Sequence, residues 1–181
     1  MVKVLCGKVI DSLYISFCFR LTLPPECTPA GTMSRGEFGH QLFLFMVYLT
    51  RMEHFNAAHK LYNPRWSREK NDEIFGVCAN DNWHGHNYDL YVTVKGEADA
   101  DTGFLFDVKK LSVIIKEQVI EKVDHKNLNL DVDFMKGKMC SSENLAVGIW
   151  EQLQMHLPAG IRLHCVKLYE TPRIYVEYFG Q

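Results

Sequence analysis

Residues 78–88, CANDNWHGHNY, place a cysteine six residues before a His-x-His pair. A strand pattern begins near Asn87, and its period of two puts His84 and His86 on the same side of the chain. Two imidazoles on one side can bind the same metal ion, and Gly85 between them lets the backbone bend closely. Such pairs also occur in ordinary loops, so the pattern by itself leaves a metal site and a pair of loop histidines as alternatives.

A catalytic zinc ion takes three protein ligands and keeps a fourth position open, so the pair needs a third partner. His59 is the best placed because it follows a strand-like run that can pair antiparallel with the strand starting near Tyr88. His54 is the competing candidate, in the middle of that run. Three histidines without a cysteine ligand favour zinc, although the spacing alone leaves other divalent metals open.

The composition describes an ordinary globular protein. A chain of 181 residues with 47% hydrophobic content is long and apolar enough for one domain with a proper core. Twenty basic and 22 acidic residues give a net charge of -2, which argues against nucleic acid or an anionic membrane as the main partner. The cysteines follow neither a disulfide framework nor a Cys-x-x-Cys pattern, so we expect reduced thiols in a cytoplasmic protein. They are Cys6, Cys18, Cys27, Cys78, Cys140 and Cys165.

Residues 1–45 differ in character from the rest of the chain. Asp11 and Arg20 leave only eight uncharged residues between them, whereas a membrane span needs about 20. A signal peptide also fits poorly. We therefore predict that residues 1–45 are a poorly structured extension or a start-site artefact, and that residues 46–181 form the domain.

The hydrophobic pattern after Met46 predicts an α+β fold. Two strands come first, then two helices, then two strands, which predicts a four-stranded antiparallel sheet with two helices on one face. The other face needs a cover, and oligomerisation can supply it. The predicted strands are 46–57, 87–97, 161–170 and 173–179, and the predicted helices run from Asp107 to about Lys122 and from Ser141 towards Pro158. The predicted core residues are Tyr88, Leu90, Val92 and Val94 in the second strand, Val108, Leu111, Ile115 and Val119 in the first helix, and Leu145, Ile149, Trp150 and Leu153 in the second.

Five motifs occur in order along this domain: Phe55-Asn56-Ala57-Ala58-His59, Phe75-Gly76-Val77-Cys78 through His84-Gly85-His86-Asn87-Tyr88, Asp124-His125-Lys126-Asn127-Leu128, Ser141-Ser142-Glu143-Asn144, and Tyr169-Glu170-Thr171. With them, the chain from about Met46 to Gln181 resembles the 6-pyruvoyl-tetrahydropterin synthase family, which includes the bacterial 6-carboxytetrahydropterin synthases. The resemblance implies a tunnelling fold in which barrel-forming trimers stack into a hexamer. Active sites would then lie between subunits.

The resemblance also implies a role for each matching residue. The zinc ligands fall on His59, His84 and His86, the same triad that the spacing favours. The remaining roles fall on Cys78 as the catalytic cysteine, Asp124 and His125 as its acid-base partners, Glu170 as the carboxylate that anchors the pterin, and Ser141 and Ser142 as hydroxyl residues near the pterin.

Three functions follow from this resemblance. The first is a zinc-dependent lyase that converts 7,8-dihydroneopterin triphosphate to 6-pyruvoyl-tetrahydropterin and releases triphosphate, for tetrahydrobiopterin synthesis. The second cleaves the side chain, releasing acetaldehyde and leaving 6-carboxytetrahydropterin for queuosine synthesis. The third is a zinc-bound pterin-binding scaffold without turnover.

Some positions depart from the family pattern. Val77 replaces a lysine that often precedes the cysteine, and Asn129 stands where an aspartate is common. The lost lysine leaves open how the triphosphate is held, and Lys60 and Lys126 are the candidates.

Overall fold

The computed structural model describes residues 46–181, so the predicted extension at residues 1–45 lies outside the described part. A sheet of five strands carries the helices on one face, and the strand order is β3-β1-β2-β4-β5. The strands are β1 (Met46–His59), β2 (His84–Glu97), β3 (Lys126–Asn127), β4 (Arg162–Thr171) and β5 (Ile174–Tyr178). The helices are α1 (Arg68–Phe75), α2 (Val108–Ile115), α3 (Glu121–Val123) and α4 (Ser142–Leu153). An α+β fold is therefore confirmed.

The prediction of four antiparallel strands is wrong in one respect. β3 adds a fifth strand at the edge and runs parallel to β1, with Ala57 opposite Lys126 and Ala58 opposite Asn127. A strand of two residues has no alternation to detect, because its existence depends on hydrogen bonds to a distant neighbour. The sheet is consequently mixed.

The two long strands β1 and β2 pair with each other, and their register fixes which residues lie side by side. They pair antiparallel over their whole length, with Phe55 opposite Tyr88 and His59 opposite His84. β2 starts at His84, earlier than the predicted residue 87, and β1 extends to His59. Both strands therefore carry their histidines at the same end of the sheet.

The first predicted helix is interrupted. Asp107 caps α2 by accepting a hydrogen bond from the backbone nitrogen of Lys109, but the helix widens into a π-helical turn at Lys116–Ile120 before α3. Val108, predicted to be buried, is 44% exposed because the stripe that meets the sheet starts only at Leu111, one turn into the helix. An eight-residue helix, α1, was not predicted at all.

The core lies between the helices and one face of the sheet. The predicted core positions of β2 are buried, as are three of the four in the first helix and all but Trp150 in α4. Trp150 is partly buried and meets Tyr178 edge-on, with ring centroids 5.4 Å apart. Complete burial of each large aliphatic side chain stabilises the fold by roughly 1.5–3 kcal/mol. The opposite face exposes Tyr48, Met52 and other side chains of β1.

Among the helices of residues 46–181, none combines the length and the apolar character that a bilayer requires.

Candidate active site

Three histidines meet at the end of the β1–β2 pair. His59 lies opposite His84, and His86 follows two residues later on the same face, as the period of two requires. One ligand nitrogen from each ring lies within 4.8 Å of the others. Because Zn–N bonds of about 2.0–2.1 Å place tetrahedral ligands about 3.4 Å apart, small ring rotations suffice to close the three around one ion. The structure thus brings the predicted triad together, and the competitor His54 lies on the exposed face of β1.

A backbone carbonyl group fixes the orientation of the His59 ring. Its Nδ1 lies 2.6 Å from the carbonyl oxygen of Cys140, which can only accept a hydrogen bond. Nδ1 therefore carries the hydrogen, and the Nε2 lone pair is left free to bind a metal. The ring is 2% exposed. Cys140 was not predicted to contribute, because a carbonyl contact 81 residues away in sequence leaves no local pattern.

The donor set suits a divalent metal such as zinc. Within residues 46–181, the Nε2 atoms of His59 and His86 and the Nδ1 atom of His84 are buried without a hydrogen-bond partner, and buried polar atoms rarely stay unpaired. Burial lowers the pKa of His84, and the neighbouring imidazoles lower it further. Burial also lowers the pKa of His86. Both rings therefore favour the neutral form that a metal needs.

Glu170 completes this cluster, which we call the metal pocket (His59, His84, His86 and Glu170). Its Oε1 lies 3.3 Å from His59 Nε2 and 3.5 Å from His86 Nε2. Its contacts with His59 and His86 lower the pKa of Glu170 against the opposing effect of burial. The carboxylate is therefore ionised and ready to accept hydrogen bonds at neutral pH.

The two serines differ in what their hydroxyls do. Ser141 is the N-cap of α4, and its side chain accepts a hydrogen bond of 3.4 Å from the backbone nitrogen of Asn144. Ser142 begins the helix, is 7% exposed, and in the described part of the chain its hydroxyl has no hydrogen-bond partner. Ser142 is thus the serine whose hydroxyl is free for the pocket.

Cys78 lies in the segment that connects β1 and β2, and not on the strands that carry the histidines. It lies in a short 3-10 turn, Gly76–Ala79, which follows α1 through Gly76 at φ +54. Its carbonyl accepts a hydrogen bond of 2.9 Å from the backbone nitrogen of Leu61, which ties the turn to the chain just after His59. Cys78 is partly exposed, and Val77 before it is 78% exposed.

A buried asparagine holds the segment that carries Cys78. The side-chain amide of Asn71 donates to the carbonyl oxygens of Asn63, Trp66 and Ser67, and its oxygen accepts from the backbone nitrogen of Asn63. Asn71 is fully buried, so these bonds fix α1 against the preceding loop. Ser67 caps α1 and was the one local signal for this helix, since its side chain accepts from the backbone nitrogen of Lys70.

Asp124 and His125, here called the acid-base corner, form their own pair. Their side chains meet at 3.0 Å between Oδ2 and Nδ1, and the other carboxylate oxygen of Asp124 accepts from the backbone nitrogen of Asn56. That backbone bond lowers the pKa of Asp124 against a smaller opposing effect of burial, and His125 adds to the lowering. His125 adopts φ +57 and its side chain is 76% exposed.

Not all predicted site residues meet within the chain. In residues 46–181, no hydrogen bond joins Cys78 to the acid-base corner. A cleft where β1, β2 and β3 end is lined by both His86 and His125. The acid-base corner therefore opens into this cleft.

The sequence of this domain matches known proteins. The sequence profile described as 6-pyruvoyl tetrahydropterin synthase matches residues 48–181. The 6-pyruvoyl tetrahydrobiopterin synthase of Pongo abelii is 43% identical over 133 residues, covering 74% of this chain and 91% of its own. The 6-carboxy-5,6,7,8-tetrahydropterin synthase of Bacillus subtilis is 31% identical over 136 residues, covering 72% and 83%.

A solved structure agrees with the sequence relatives. The 6-pyruvoyl tetrahydropterin synthase of Caenorhabditis elegans superposes with a TM-score of 0.71 at 37% identity, covering 76% of this chain and 98% of that one. The chain belongs to the 6-pyruvoyl tetrahydropterin synthase family.

Proposed function

We propose that the protein is a zinc-dependent lyase that converts 7,8-dihydroneopterin triphosphate to 6-pyruvoyl-tetrahydropterin and releases triphosphate. The observation that carries the proposal is the metal pocket: three buried histidine nitrogens converge beside an ionised carboxylate. The relatives that bear the name of this activity support it. The pocket has the parts for holding a pterin by its ring and by its side chain at once.

Glu170 provides the ring-binding group. A pterin presents its 2-amino group and its N3–H side by side, so a single carboxylate can accept both hydrogen bonds and fix the orientation of the ring. A carboxylate that is 18% exposed and already ionised suits this role. Such recognition places the three-carbon side chain of the substrate next to the histidines.

Three histidines provide the metal site. Zinc held by His59, His84 and His86 would polarise the hydroxyl groups of the substrate side chain and acidify the neighbouring C–H bonds. The contact from Cys140 to His59 and the β1–β2 register keep the rings in place. A pocket held this firmly favours binding of the side chain in one pose.

Cys78 and the acid-base corner move the protons. As a thiolate, Cys78 would take the proton from the acidified carbon. Asp124 holds the Nδ1 hydrogen of His125, so the Nε2 atom of that ring is left to exchange protons with the substrate. Elimination of triphosphate and proton relocation along the side chain then require no external redox cofactor.

An oligomer completes the site in this proposal. Among residues 46–181, the sheet face opposite the helices exposes its side chains. This face and the open position of the acid-base corner favour a hexamer of two barrel-forming trimers, in which a corner from one subunit faces the Cys78 of another. The described cysteines, Cys78, Cys140 and Cys165, are free thiols. A reducing compartment such as the cytoplasm would keep Cys78 reactive.

Lys60 is the better of the two triphosphate candidates. Its ammonium group lies 4.8 Å from the ring centroid of Trp83 and 5.2 Å from that of Tyr62. Its acidic neighbour Asp81 is 4.0 Å away and is bound more closely by Arg68, at 2.6 Å. A lysine held by aromatic rings keeps its charge available for an anion. It follows His59 directly, whereas Lys126 lies on the edge strand β3.

The alternative is a 6-carboxytetrahydropterin synthase acting on the same substrate. Its support is the Bacillus subtilis relative, whose identity is 31%, against 43% for the relative from Pongo abelii. Five residues separate Cys78 and His84, and the acid-base motif reads Asp-His-Lys-Asn-Leu, both of which resemble the biopterin-type enzymes. These features favour the pyruvoyl product.

Product analysis tests the proposal. The full-length protein, loaded with zinc, is incubated with dihydroneopterin triphosphate, and products are identified by mass spectrometry together with an acetaldehyde assay. A pyruvoyl-pterin without acetaldehyde is expected; acetaldehyde with the carboxy-pterin would replace our assignment with the alternative. The Cys78→Ala variant controls for contaminating activity. A folded, zinc-loaded wild type without turnover would instead indicate a pterin-binding scaffold.

A further inference from the structure

Trp83 is a bulky residue in a backbone conformation that favours glycine. Its φ is +56, and among residues 46–181 only His125 is another non-glycine residue with a positive φ. Such a φ is uncommon for a large side chain, because the Cβ atom then crowds the backbone. The backbone nitrogen of Trp83 donates to the carbonyl oxygen of Asn80 at 3.3 Å, which closes a turn directly before His84. Glycine would form this turn with less strain, so the turn itself does not account for the tryptophan.

The indole nitrogen of Trp83 is a buried hydrogen-bond donor. Its Nε1 atom has no hydrogen-bond partner within the described part of the chain. An indole N–H can only donate, and a buried donor that stays unpaired costs free energy. The indole N–H therefore suits a ligand that brings a hydrogen-bond acceptor.

The ammonium group of Lys60 lies against the same indole ring. Its Nζ atom is 4.8 Å from the ring centroid of Trp83 and 5.2 Å from that of Tyr62. In the part of the chain that the structure describes, its one acidic neighbour within 4.0 Å is Asp81, whose side chain is 73% exposed and lies closer to Arg68. Aromatic rings attract a cation without neutralising it. Lys60 therefore places an available positive charge beside the indole ring of Trp83.

Both residues flank the metal pocket at the ends of β1 and β2. Lys60 directly follows His59 and Trp83 directly precedes His84, and these two histidines lie opposite each other in the sheet. In dihydroneopterin triphosphate the phosphate chain is attached to the end of the side chain whose hydroxyl groups the metal would bind. A phosphate chain offers several charged acceptor oxygens, which suit one ammonium group and one neutral N–H.

We propose that Trp83 binds the triphosphate group of the substrate together with Lys60: the ammonium group supplies the charge, and the indole N–H donates a hydrogen bond to a phosphate oxygen. The inference rests on the proposed function, because it takes dihydroneopterin triphosphate as the substrate. It adds Trp83 to that site as a specificity-determining residue, which distinguishes phosphorylated from unphosphorylated pterins. Neither group transfers a proton.

Binding of inorganic triphosphate measures this site apart from the pterin anchor. Triphosphate is titrated by calorimetry into the full-length, zinc-loaded wild type and into Trp83→Phe. Phenylalanine keeps an aromatic ring beside Lys60 but lacks the N–H, so we expect about tenfold weaker binding, as for loss of a hydrogen bond to a charged group. Unsubstituted pterin, 2-amino-4-oxopteridine, has no phosphate and should bind both proteins with the same affinity.

Lys60→Met separates the charge from the hydrogen bond. This variant should weaken triphosphate binding at least as much and should also reduce its dependence on salt concentration, because it removes a charge. Trp83→Phe removes no charge, so its binding should keep the salt dependence of the wild type. The two variants therefore differ in a property that general damage to the site would not separate.

A double variant tests whether the indole binds the phosphate itself or only holds Lys60. If the indole donates to a phosphate oxygen, Trp83→Phe should weaken triphosphate binding further in a Lys60→Met background. If Trp83 acts only through Lys60, the same change should have no further effect there.

Lys70 and Trp66 form the matched control pair. The Nζ atom of Lys70 lies 4.5 Å from the ring centroid of Trp66, a similar contact made by α1 and the loop before it. Neither residue is next to a histidine of the metal pocket in the sequence. Lys70→Met and Trp66→Phe should therefore leave triphosphate affinity close to the wild-type value. Zinc content and melting temperature are measured for every variant.

The outcomes separate the two proposals. Equal triphosphate affinity in the wild type, Trp83→Phe and Lys60→Met would overturn the inference and assign the anion to the zinc ion or to other residues. No further effect of Trp83→Phe in the Lys60→Met background would also overturn it. Both results leave the proposed function intact, because product analysis tests that function separately. A carboxy-pterin product would replace the proposed activity and leave the triphosphate site in place, since both activities start from the same substrate.

Discussion

The metal pocket and the acid-base corner are built in opposite ways. In the metal pocket, the side chain of His59 is 2% exposed and that of Glu170 is 18% exposed, and every member touches another member. In the acid-base corner, Asp124 and His125 contact each other, but the side chain of His125 is 76% exposed. The four residues of the metal pocket are thus brought together within one chain, whereas His125 of the acid-base corner faces outwards.

This difference fits the different structural demands of metal binding and proton transfer. Holding a metal requires a donor set fixed to within a fraction of an ångström, which strand register and burial provide inside one subunit. In the proposed hexamer, Asp124 and His125 would need only a stable tautomer until a second subunit covers them, and their single contact supplies that. An active site shared between subunits would then couple activity to assembly.

Removal of a metal ligand should have the largest effect. His84→Ala leaves two ligands, so we expect loss of bound zinc and of all measurable turnover, with the fold retained because His84 lies at the end of the sheet and outside the hydrophobic core. Zinc content, turnover and circular dichroism are measured on the same preparation. An unfolded variant would mean that the metal pocket is a structural centre and that, unlike the acid-base corner, it holds the fold together.

Mixing two inactive variants should have the next largest effect. Cys78→Ala and His125→Ala alone should each lose turnover by roughly a thousandfold, as for removal of a general acid or base. When equal amounts are unfolded together and reassembled, about a quarter of the shared sites would contain both intact groups, and turnover should return to that level. Separately refolded samples mixed afterwards are the control. No recovery in the joint sample would place Cys78 and His125 of the same chain in one site.

The sequence alone could predict the three histidines of the metal pocket far better than the residues that support them. The alternation of Tyr88, Leu90, Val92 and Val94 identified β2 and placed His84 and His86 on one face. The position after β1 was enough to favour His59 over His54. Each of these inferences uses spacing along one or two strands, where the geometry is regular.

The supports depend on contacts that are distant in sequence. β3 forms because Asp124 and His125 bond to both sides of Asn56, 68 and 69 residues earlier in the chain, and no local pattern encodes that pairing. The helix α1 is set by the buried bonds of Asn71, a residue that usually lies at the surface. Glu170 required the family resemblance, since a glutamate at a strand end is most often solvated.

Asn129 binds the backbone of Lys60, the residue that follows His59, and its replacement is a milder test of the metal pocket. The Asn129 side chain accepts from the backbone nitrogen of Lys60 at 2.9 Å and donates to its carbonyl oxygen at 3.1 Å. Asn129→Ala loses both bonds and should weaken zinc binding about tenfold, in the range known for supporting contacts of metal ligands. Asn129→Asp keeps only the acceptor and should fall between the two. Chelator competition measures these affinities, and wild-type affinity in Asn129→Ala would show that the strand pairing alone positions His59.

The smallest expected effect is the contribution of Asp124 to the stability of the protein at low pH. The pKa of Asp124 is lowered by the backbone N–H of Asn56 and by His125, so its ionised form is favoured in the folded state. The stabilisation is fully present above the unfolded-state pKa of about 3.9 and is lost as the pH falls through the lower folded-state value. Because a third of the side chain is exposed, the contribution to the free energy of unfolding should be below about 1 kcal/mol.

Asp124→Asn isolates this contribution. The amide oxygen can still accept from Asn56 but cannot ionise, so the variant should lose less stability than the wild type between pH 5 and pH 3 in urea titrations. An equal pH dependence for the two proteins would mean that the Asp124 carboxylate contributes nothing to folding within the chain. That result would sharpen the contrast with the metal pocket, since the acid-base corner would then be positioned for catalysis alone.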